Sequence, residues 1–219
     1  MKRARPYDRE AALDAALMLF WKKGYQATSL KDLEAGLAMK PGSIYAAFSS
    51  KEALFALALE RYFEKNRDAL RTRFLQAPSP LAALADHLRS IARSEADDPH
   101  CRACMLVKTL LAATPEDAAI AARAQRYLDA MKTEIAAAFE RARRQGELQA
   151  SADPDRLARR YQSNLTALRI EAHRGLADKE LTALAEEMAQ EVERLRAAVS
   201  GKRHAPEGQS AVRESDPPT

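Results

Sequence analysis

The sequence is poor in the residues that favour strands, disulfide frameworks and membrane spans. Aromatic residues make up only 6% of its 219 positions, and valine and isoleucine are scarce. Its two cysteines, Cys101 and Cys104, are too few to form the disulfide framework of a small domain. No apolar run is long enough to cross a bilayer and no signal peptide opens the chain. We therefore expect a cytoplasmic protein without a membrane partner.

The abundant residues are alanine, leucine, arginine and glutamate, which are strong helix formers. Glycines such as Gly24, Gly146 and Gly175 follow apolar patterns of helical period, as C-terminal caps do. The pattern predicts an all-α protein of about nine helices, the first from about Tyr7 and the last capped by Asp178. We expect three units: an N-terminal helical domain over 1–50, a larger helical domain over 51–200, and a disordered tail over 201–219.

The segment from Thr28 to Glu52 has the pattern of two short helices joined by a turn. Ser29 and Asp32 form a capping-box signature, and leucines at helical spacing follow it. Pro41 suits the first position of the second helix, and Ser49-x-x-Glu52 repeats the capping box before a third helix. This is the helix-turn-helix pattern, which lays its second helix in the major groove of DNA.

The positive charge is concentrated in the same part of the chain. Residues 1–51 carry nine basic and five acidic side chains, a net charge of +4, and the remainder carries 26 of each sign. The excess therefore lies where DNA contact is expected. Without the helix-turn-helix pattern beside it, the same excess would fit a solubilising terminus equally well.

At these residues the chain resembles the tetracycline-repressor (TetR) family of bacterial regulators. The matching positions are Phe20, Gly24, Tyr25, Thr28, Ser29, Asp32, Leu33, Gly42, Ser43, Ile44, Tyr45, Phe48, Ser50, Lys51, Glu52, Ala53 and Leu54. The sequence departs from the family at the turn between the two helices, where Ala38 replaces the usual glycine. This alanine must adopt a left-handed geometry or bend the turn differently.

The resemblance implies a homodimer that binds a palindromic operator in double-stranded DNA and responds to a small-molecule effector. Residues 1–50 would then be the DNA-binding domain, and residues 51–200 the effector-binding and dimerisation domain. The helix-turn-helix pattern and the resemblance together indicate ten candidate DNA contacts. They are Arg3, Arg5, Thr28, Ser29, Lys40, Pro41, Ser43, Tyr45, Ala46 and Lys51. We expect Arg3, Arg5 and Lys51 to contact phosphates, and Lys40 with the exposed face of the second helix to contact bases.

Two apolar stripes near the C-terminus are consistent with a dimer seam, because the resemblance implies that the last two helices pair with their copies. Leu181, Met188 and Leu195 recur every seven residues. The predicted interface comprises Leu157, Tyr161, Leu165, Leu168, Leu181, Leu184, Met188, Val192 and Leu195. The same stripes would also arise if both helices packed inside one protomer.

The effector cavity of the family lies inside the body. The candidate lining residues here are Tyr62, Phe63, Cys104, Met105, Thr109, Tyr127, Met131, Asn164 and Leu168. Each also fits an ordinary core position. Cys104 opens a predicted helix with Arg102 and Lys108 near it, two features that raise thiol reactivity. The cysteines are therefore interpreted as incidental small residues, as a thiol sensor resembling electrophile- or oxidant-sensing members of the family, or as part of a metal site.

Other classes of function have less support in the sequence. A helical thiol enzyme would need a recognisable catalytic pairing, and no nucleotide fingerprint or paired Cys–His arrangement is present. A helical adaptor that does not bind DNA would not need basic residues concentrated in the first 51 positions. The four histidines are scattered and are expected to face solvent. We predict no catalytic residue, no metal site and no cofactor.

Overall fold

The computed structural model describes residues 8–93 and 102–196, and within these ranges helices joined by turns and loops make up the secondary structure. The helices are α1 (Arg9–Lys23), α2 (Leu30–Leu37), α3 (Pro41–Phe48), α4 (Lys51–Gln76), α5 (Pro80–Ala92), α6 (Met105–Ala112), α7 (Ala118–Arg144), α8 (Pro154–Arg174) and α9 (Asp178–Glu193). A single 3-10 turn, Pro115–Asp117, precedes α7. These described elements confirm the all-α class. The predictions for Arg3, Arg5, Cys101 and the 201–219 tail lie outside the described residues.

Side-chain caps fix most of the helix starts. Asp8 accepts from two amides of α1, and Ser29 forms the predicted capping box with Asp32. Two cap predictions were wrong by one residue. Ser50, not Ser49, caps α4 by accepting from the Ala53 amide at 2.9 Å, because Ser49 already ends α3 with a positive φ of 66°. Asp178 is the first residue of α9 and does not cap it.

The first three helices pack on the beginning of α4. Leu33, Ile44 and Phe48 are buried between these helices. The rings of Phe20 in α1 and Phe55 in α4 meet edge to face, with their centroids 5.0 Å apart. The core of the DNA-binding head therefore includes residues of α4 beyond the expected boundary at residue 50.

The remaining helices form the body, whose core is a second apolar cluster. It contains the end of α4 together with residues of α5, α7, α8 and α9. Arg89 of α5 forms a bidentate ion pair with Glu186 of α9, with N–O distances of 2.7 and 2.9 Å, and also contacts Glu193. The Arg89 guanidinium lowers the pKa of Glu186 to about 2. These ion pairs fix α9 along α5.

His87 corrects the expectation that the histidines face solvent. Its ring lies partly buried between Phe74 and Tyr161, and its Nδ1 is 2.8 Å from the Tyr161 hydroxyl. That hydroxyl donates to the Leu84 carbonyl at 2.9 Å, so its single proton is used there. His87 is then the donor to Tyr161 and is neutral, since burial lowers its pKa to about 3.

No helix in the described ranges combines the length and the hydropathy needed to span a bilayer.

Neutral His87 makes the stability of the fold depend on pH. Between pH 6.5 and 3 the unfolded chain binds a proton that folded His87 does not, so stability falls by about 1.4 kcal/mol per pH unit as the pH decreases. Urea unfolding at pH 7 and pH 5 should show a loss about 2 kcal/mol larger for the parent than for His87→Gln. Equal losses in both proteins would contradict the buried neutral histidine.

Candidate DNA-binding face and body cavity

The second helix of the helix-turn-helix, α3, presents one face to the core and the other to solvent. Ile44 and Phe48 are 1% and 3% exposed and anchor the helix. Ser43, Ala46 and Tyr45 are exposed on the opposite side, with Tyr45 at 43%. The predicted base-reading side chains Lys40, Pro41, Ser43, Tyr45 and Ala46 lie at the start or on the open surface of this one short helix. This surface can enter a DNA groove without unfolding the head.

The turn that orients α3 depends on Ala38. Its φ of 52° and ψ of 37° place it in the left-handed region, and its amide donates to the Glu34 carbonyl. The structure therefore resolves the two alternatives for this residue in favour of the left-handed geometry. The left-handed geometry costs a non-glycine residue roughly 1–2 kcal/mol.

Ser29 and Lys51 have intramolecular partners next to this face. The Ser29 hydroxyl is exposed and donates to the Asp32 carboxylate at 2.7 Å. The Lys51 ammonium lies 4.6 Å from the centroid of the Tyr25 ring, and burial lowers the pKa of this lysine. Both side chains lie at the amide ends of helices, where phosphates bind.

Thr28 corrects the predicted set of DNA contacts. Its side chain is completely buried, and its hydroxyl donates to the Gly24 carbonyl at 2.7 Å. It therefore holds the turn between α1 and α2 in place and has no surface to offer to a phosphate.

Arg9 is a cation near the DNA-binding face that the sequence analysis did not single out. It begins α1, yet its guanidinium carbon lies 5.2 Å from the centroid of the Phe48 ring at the end of α3. The signal in the sequence was its place in the basic segment. Its proximity to α3 depends on how α1 crosses the head, which no local pattern gives.

The body contains a small cavity of about 50 Å³ between α4, α6, α7 and α8. Of the predicted effector contacts, Tyr62, Cys104 and Met131 line it. The other lining residues were missed by the sequence analysis: Asn66, Leu106, Val107, Leu128, Ile135, Gln162, Leu165, Thr166 and Arg169. Most of these are apolar residues that cannot be told from core by pattern alone.

The other predicted effector residues lie elsewhere. Met105 and Thr109 line a separate cavity of about 140 Å³ between α6 and the end of α1, and Asn164 lies in a groove between α8 and α9. The rings of Phe63 and Tyr127 stack on each other with centroids 4.4 Å apart. Leu168 is fully buried in the body core.

Arg169 is the charged residue of the 50 Å³ cavity. Its Nε is buried without a hydrogen-bond partner, and its Nη1 lies 3.4 Å from the Tyr62 hydroxyl. Burial raises the pKa of Tyr62, and Cys104 beside it acts in the same direction. A guanidinium, a phenol and a thiol therefore meet on one side of an otherwise apolar space.

Three contacts join this part of the body to the DNA-binding head. The indole N–H of Trp21 donates to the Ala103 carbonyl at 2.7 Å, directly before Cys104. The Lys108 ammonium donates to the Trp21 carbonyl at 2.7 Å. Gln26 donates to both oxygens of the Asp117 carboxylate, which lowers the pKa of that acid. These contacts tie α6 and the turn before α7 to the end of α1.

The predicted dimer seam divides into buried and partly open residues. Tyr161, Leu168, Leu181 and Val192 are covered within a single chain, so these side chains belong to the protomer core and correct the predicted interface set. Partly buried and still accessible are Leu157, Leu165, Leu184, Met188 and Leu195. Part of each stripe therefore packs inside one protomer, which the sequence analysis gave as the alternative to a dimer interface.

A metal site finds no support in the described ranges, where no group of three or more histidine, cysteine, aspartate or glutamate side chains is arranged to hold an ion.

An all-α chain that exposes α3 on a compact head, above a helical body with a small cavity between its helices, has the architecture of a one-component DNA-binding regulator.

Comparison with known proteins places this architecture in a family. The family described as "Bacterial regulatory proteins, tetR family" matches residues 12–58. The repressor ComR of Escherichia coli is 36% identical over 122 residues, 54% of this chain and 58% of ComR, so the match spans little more than half of that relative. The regulator YezE of Bacillus subtilis is 30% identical over 153 residues, 68% of this chain and 76% of YezE.

Among solved structures, a cysteine-substituted TetR family regulator CifR, bound to 26-base-pair operator DNA, has a TM-score of 0.79 and 30% identity. The similarity covers 86% of this chain and 98% of CifR. The chain belongs to the TetR family of transcriptional regulators. This is a family of regulators and not of enzymes.

Lys40 offers a direct test of the α3 surface. Lys40→Ala should weaken operator binding, and the slope of log affinity against log salt should flatten by about 0.9 if the ammonium contacts a phosphate. If it contacts a base, selection of DNA from a random pool should also show relaxed preference at one position. The exposed body residue Lys179 provides the control, since Lys179→Ala should change neither quantity. If Lys40→Ala binds DNA with the affinity and salt dependence of the parent, Lys40 is not part of the interface.

Proposed function

We propose that this protein is a homodimeric repressor that binds a palindromic operator through α3 and leaves it when a small molecule occupies the body cavity. The observation that carries the proposal is the two-sided α3, buried through Ile44 and Phe48 and open through Ser43, Tyr45 and Ala46. The complex of CifR with operator DNA supports it, because that similar chain binds DNA in a family with the same head.

Dimerisation follows from the geometry of DNA. A single eight-residue recognition helix contacts only a few base pairs, and two copies related by a two-fold axis read half-sites roughly 34–36 Å apart. The accessible residues Leu157, Leu165, Leu184 and Met188 of α8 and α9 supply an apolar surface for the second copy. Operator binding then requires a fixed separation between the two heads.

Release by an effector requires that the cavity and the heads share a moving part. The cavity is lined by Tyr62 of α4 and by residues at the start of α6, and Trp21 joins that start to α1. A ligand that fits the cavity only when α6 is displaced would favour a different head position. By thermodynamic linkage, the bound ligand would lower the affinity for DNA by the same factor by which bound DNA lowers the affinity for the ligand.

Ser43→Asp tests the proposed operator contact. The exposed carboxylate would face phosphates, so binding to the selected DNA should fall by at least about tenfold in a mobility-shift assay. Sedimentation should still give a dimer, because α3 is distant from α8 and α9 in the fold. The matched control is Ser163→Asp on the exposed surface of α8, which should bind normally. A monomeric parent, or a parent without sequence preference, would contradict the proposal.

The position of Cys104 favours a second candidate, a regulator released by thiol-reactive compounds. The cysteine is free, partly exposed and placed at the N-cap of α6, where it lines the cavity. An adduct on its sulfur would occupy the same space as a bound effector.

N-ethylmaleimide separates the two candidates. If the thiol is the sensor, the reagent should release DNA from the parent and from Cys101→Ser, and Cys104→Ser should stay bound. Mass spectrometry should show one adduct on Cys104. Equal release from all three proteins, or full modification of Cys104 without release, would exclude thiol sensing.

A further inference from the structure

We infer that the body cavity is a binding site for a short-chain carboxylate, held by Arg169. The inference rests on the proposed function, since it names the chemical class of the effector. It starts from a charge that the protein leaves uncompensated. Arg169 is a half-buried residue of α8 whose Nε has no partner, and its Nη1 donates to the Tyr62 hydroxyl at 3.4 Å.

The surroundings of Arg169 do not neutralise it. Within the described ranges, the groups that act on its charge are Tyr62, Cys104 and Tyr161, and no carboxylate forms an ion pair with it. Burying a guanidinium without a counter-ion costs several kcal/mol. Two other arginines of the body are paired with acids: Arg89 has Glu186 and Glu193, and Arg160 has Glu191. Arg169 is therefore placed to accept an anion from outside the chain.

Three other polar side chains of the cavity are uncharged, and each already donates one hydrogen bond to a backbone carbonyl. The Asn66 amide donates to the Tyr62 carbonyl at 2.7 Å, and the Gln162 amide donates to the Leu128 carbonyl at 2.8 Å. The Thr166 hydroxyl donates to the Gln162 carbonyl at 2.9 Å. Arg169 is the charged donor among the residues that line the cavity, and a guanidinium matches a carboxylate in both charge and geometry.

The size and walls of the cavity restrict the rest of the ligand. A volume of about 50 Å³ has room for roughly three or four water molecules, which suits a molecule of few heavy atoms. Leu106, Met131 and Ile135 give it apolar walls that suit a short hydrocarbon chain. A phosphate carries close to two negative charges near neutral pH, and Arg169 is the one cation among the described residues that line this cavity. A carboxylate of two to four carbons meets all three requirements.

The test compares propionate with propionamide, which has nearly the same size but no charge, using calorimetry on the full chain without DNA. Propionate should bind saturably and propionamide at least about tenfold more weakly, because a hydrogen bond to a charged group contributes roughly 1.5–3 kcal/mol. Arg169→Gln should lose that preference. Arg159→Gln, which changes an exposed arginine of the same helix, should keep it. Acetate and butyrate should also bind, and formate more weakly.

Several results would overturn the inference: no saturable binding of any carboxylate, equal binding of propionate and propionamide, or an Arg169→Gln protein that keeps the preference. If Arg169→Gln does not fold, Arg169→Lys serves instead, with weaker propionate binding that retains the preference over propionamide. The DNA-release assay is separate. If carboxylates bind but do not release DNA, the anion site is established and the proposed release mechanism is contradicted. If another compound releases DNA and no carboxylate binds, the release mechanism is supported and the anion site is contradicted.

Discussion

The organisation of this molecule depends on α4 belonging to two cores at once. Its first half carries Phe55, which meets Phe20 of α1 inside the DNA-binding head. Its second half carries Leu70 and Phe74, which lie in the apolar cluster of the body. Because packed cores shift as units and do not deform continuously, a tilt of α4 in the body is a displacement of the head. The helix is thus both the support of the DNA-binding face and its connection to the cavity.

Electrostatic contacts reinforce the same helix. Arg61 of α4 donates to both oxygens of Asp14 at 2.7 Å and to Glu10, and both acids belong to α1. Its guanidinium lowers the pKa of Asp14. The pair is largely exposed, so its contribution to stability is at most about 1 kcal/mol and decreases with salt. It mainly fixes the direction of α1 on α4, which apolar packing alone specifies less sharply.

Local rules predicted much of the fold. The capping box at Ser29, the proline at the start of α3 and the buried pair Ile44 and Phe48 all follow from contacts within a few residues, so the sequence displays them directly. The cap of α4 was misplaced because Ser49 and Ser50 are adjacent and chemically equivalent, and only the backbone geometry distinguishes them.

The residues that the sequence could not assign are those whose role is set by distant partners. Thr28 matches a family motif, yet its burial depends on how the turn closes onto Gly24. His87 has no pattern around it that reveals Tyr161, which is 74 positions away. Arg169 has no local pattern that distinguishes it from an exposed arginine of the same helix, such as Arg159. Helical periodicity gives the face of a helix, but not whether a cavity or a counter-ion lies opposite that face.

The buried arginines themselves show why Arg169 differs from a structural charge. Arg102, Arg141 and Arg169 each have an Nε that is buried without a partner. Arg141 compensates by donating to the carbonyls of Phe74 and Ala77 where α4 ends, and Arg102 lies 3.5 Å from the Ala172 carbonyl. Both arginines therefore contact carbonyl groups near the C-terminal end of a helix, where the helix dipole is negative. Arg169 has no such carbonyl in the described structure and faces a cavity instead. An unpartnered Nε thus accompanies a structural role in Arg102 and Arg141, and in Arg169 it supports the inferred ligand site.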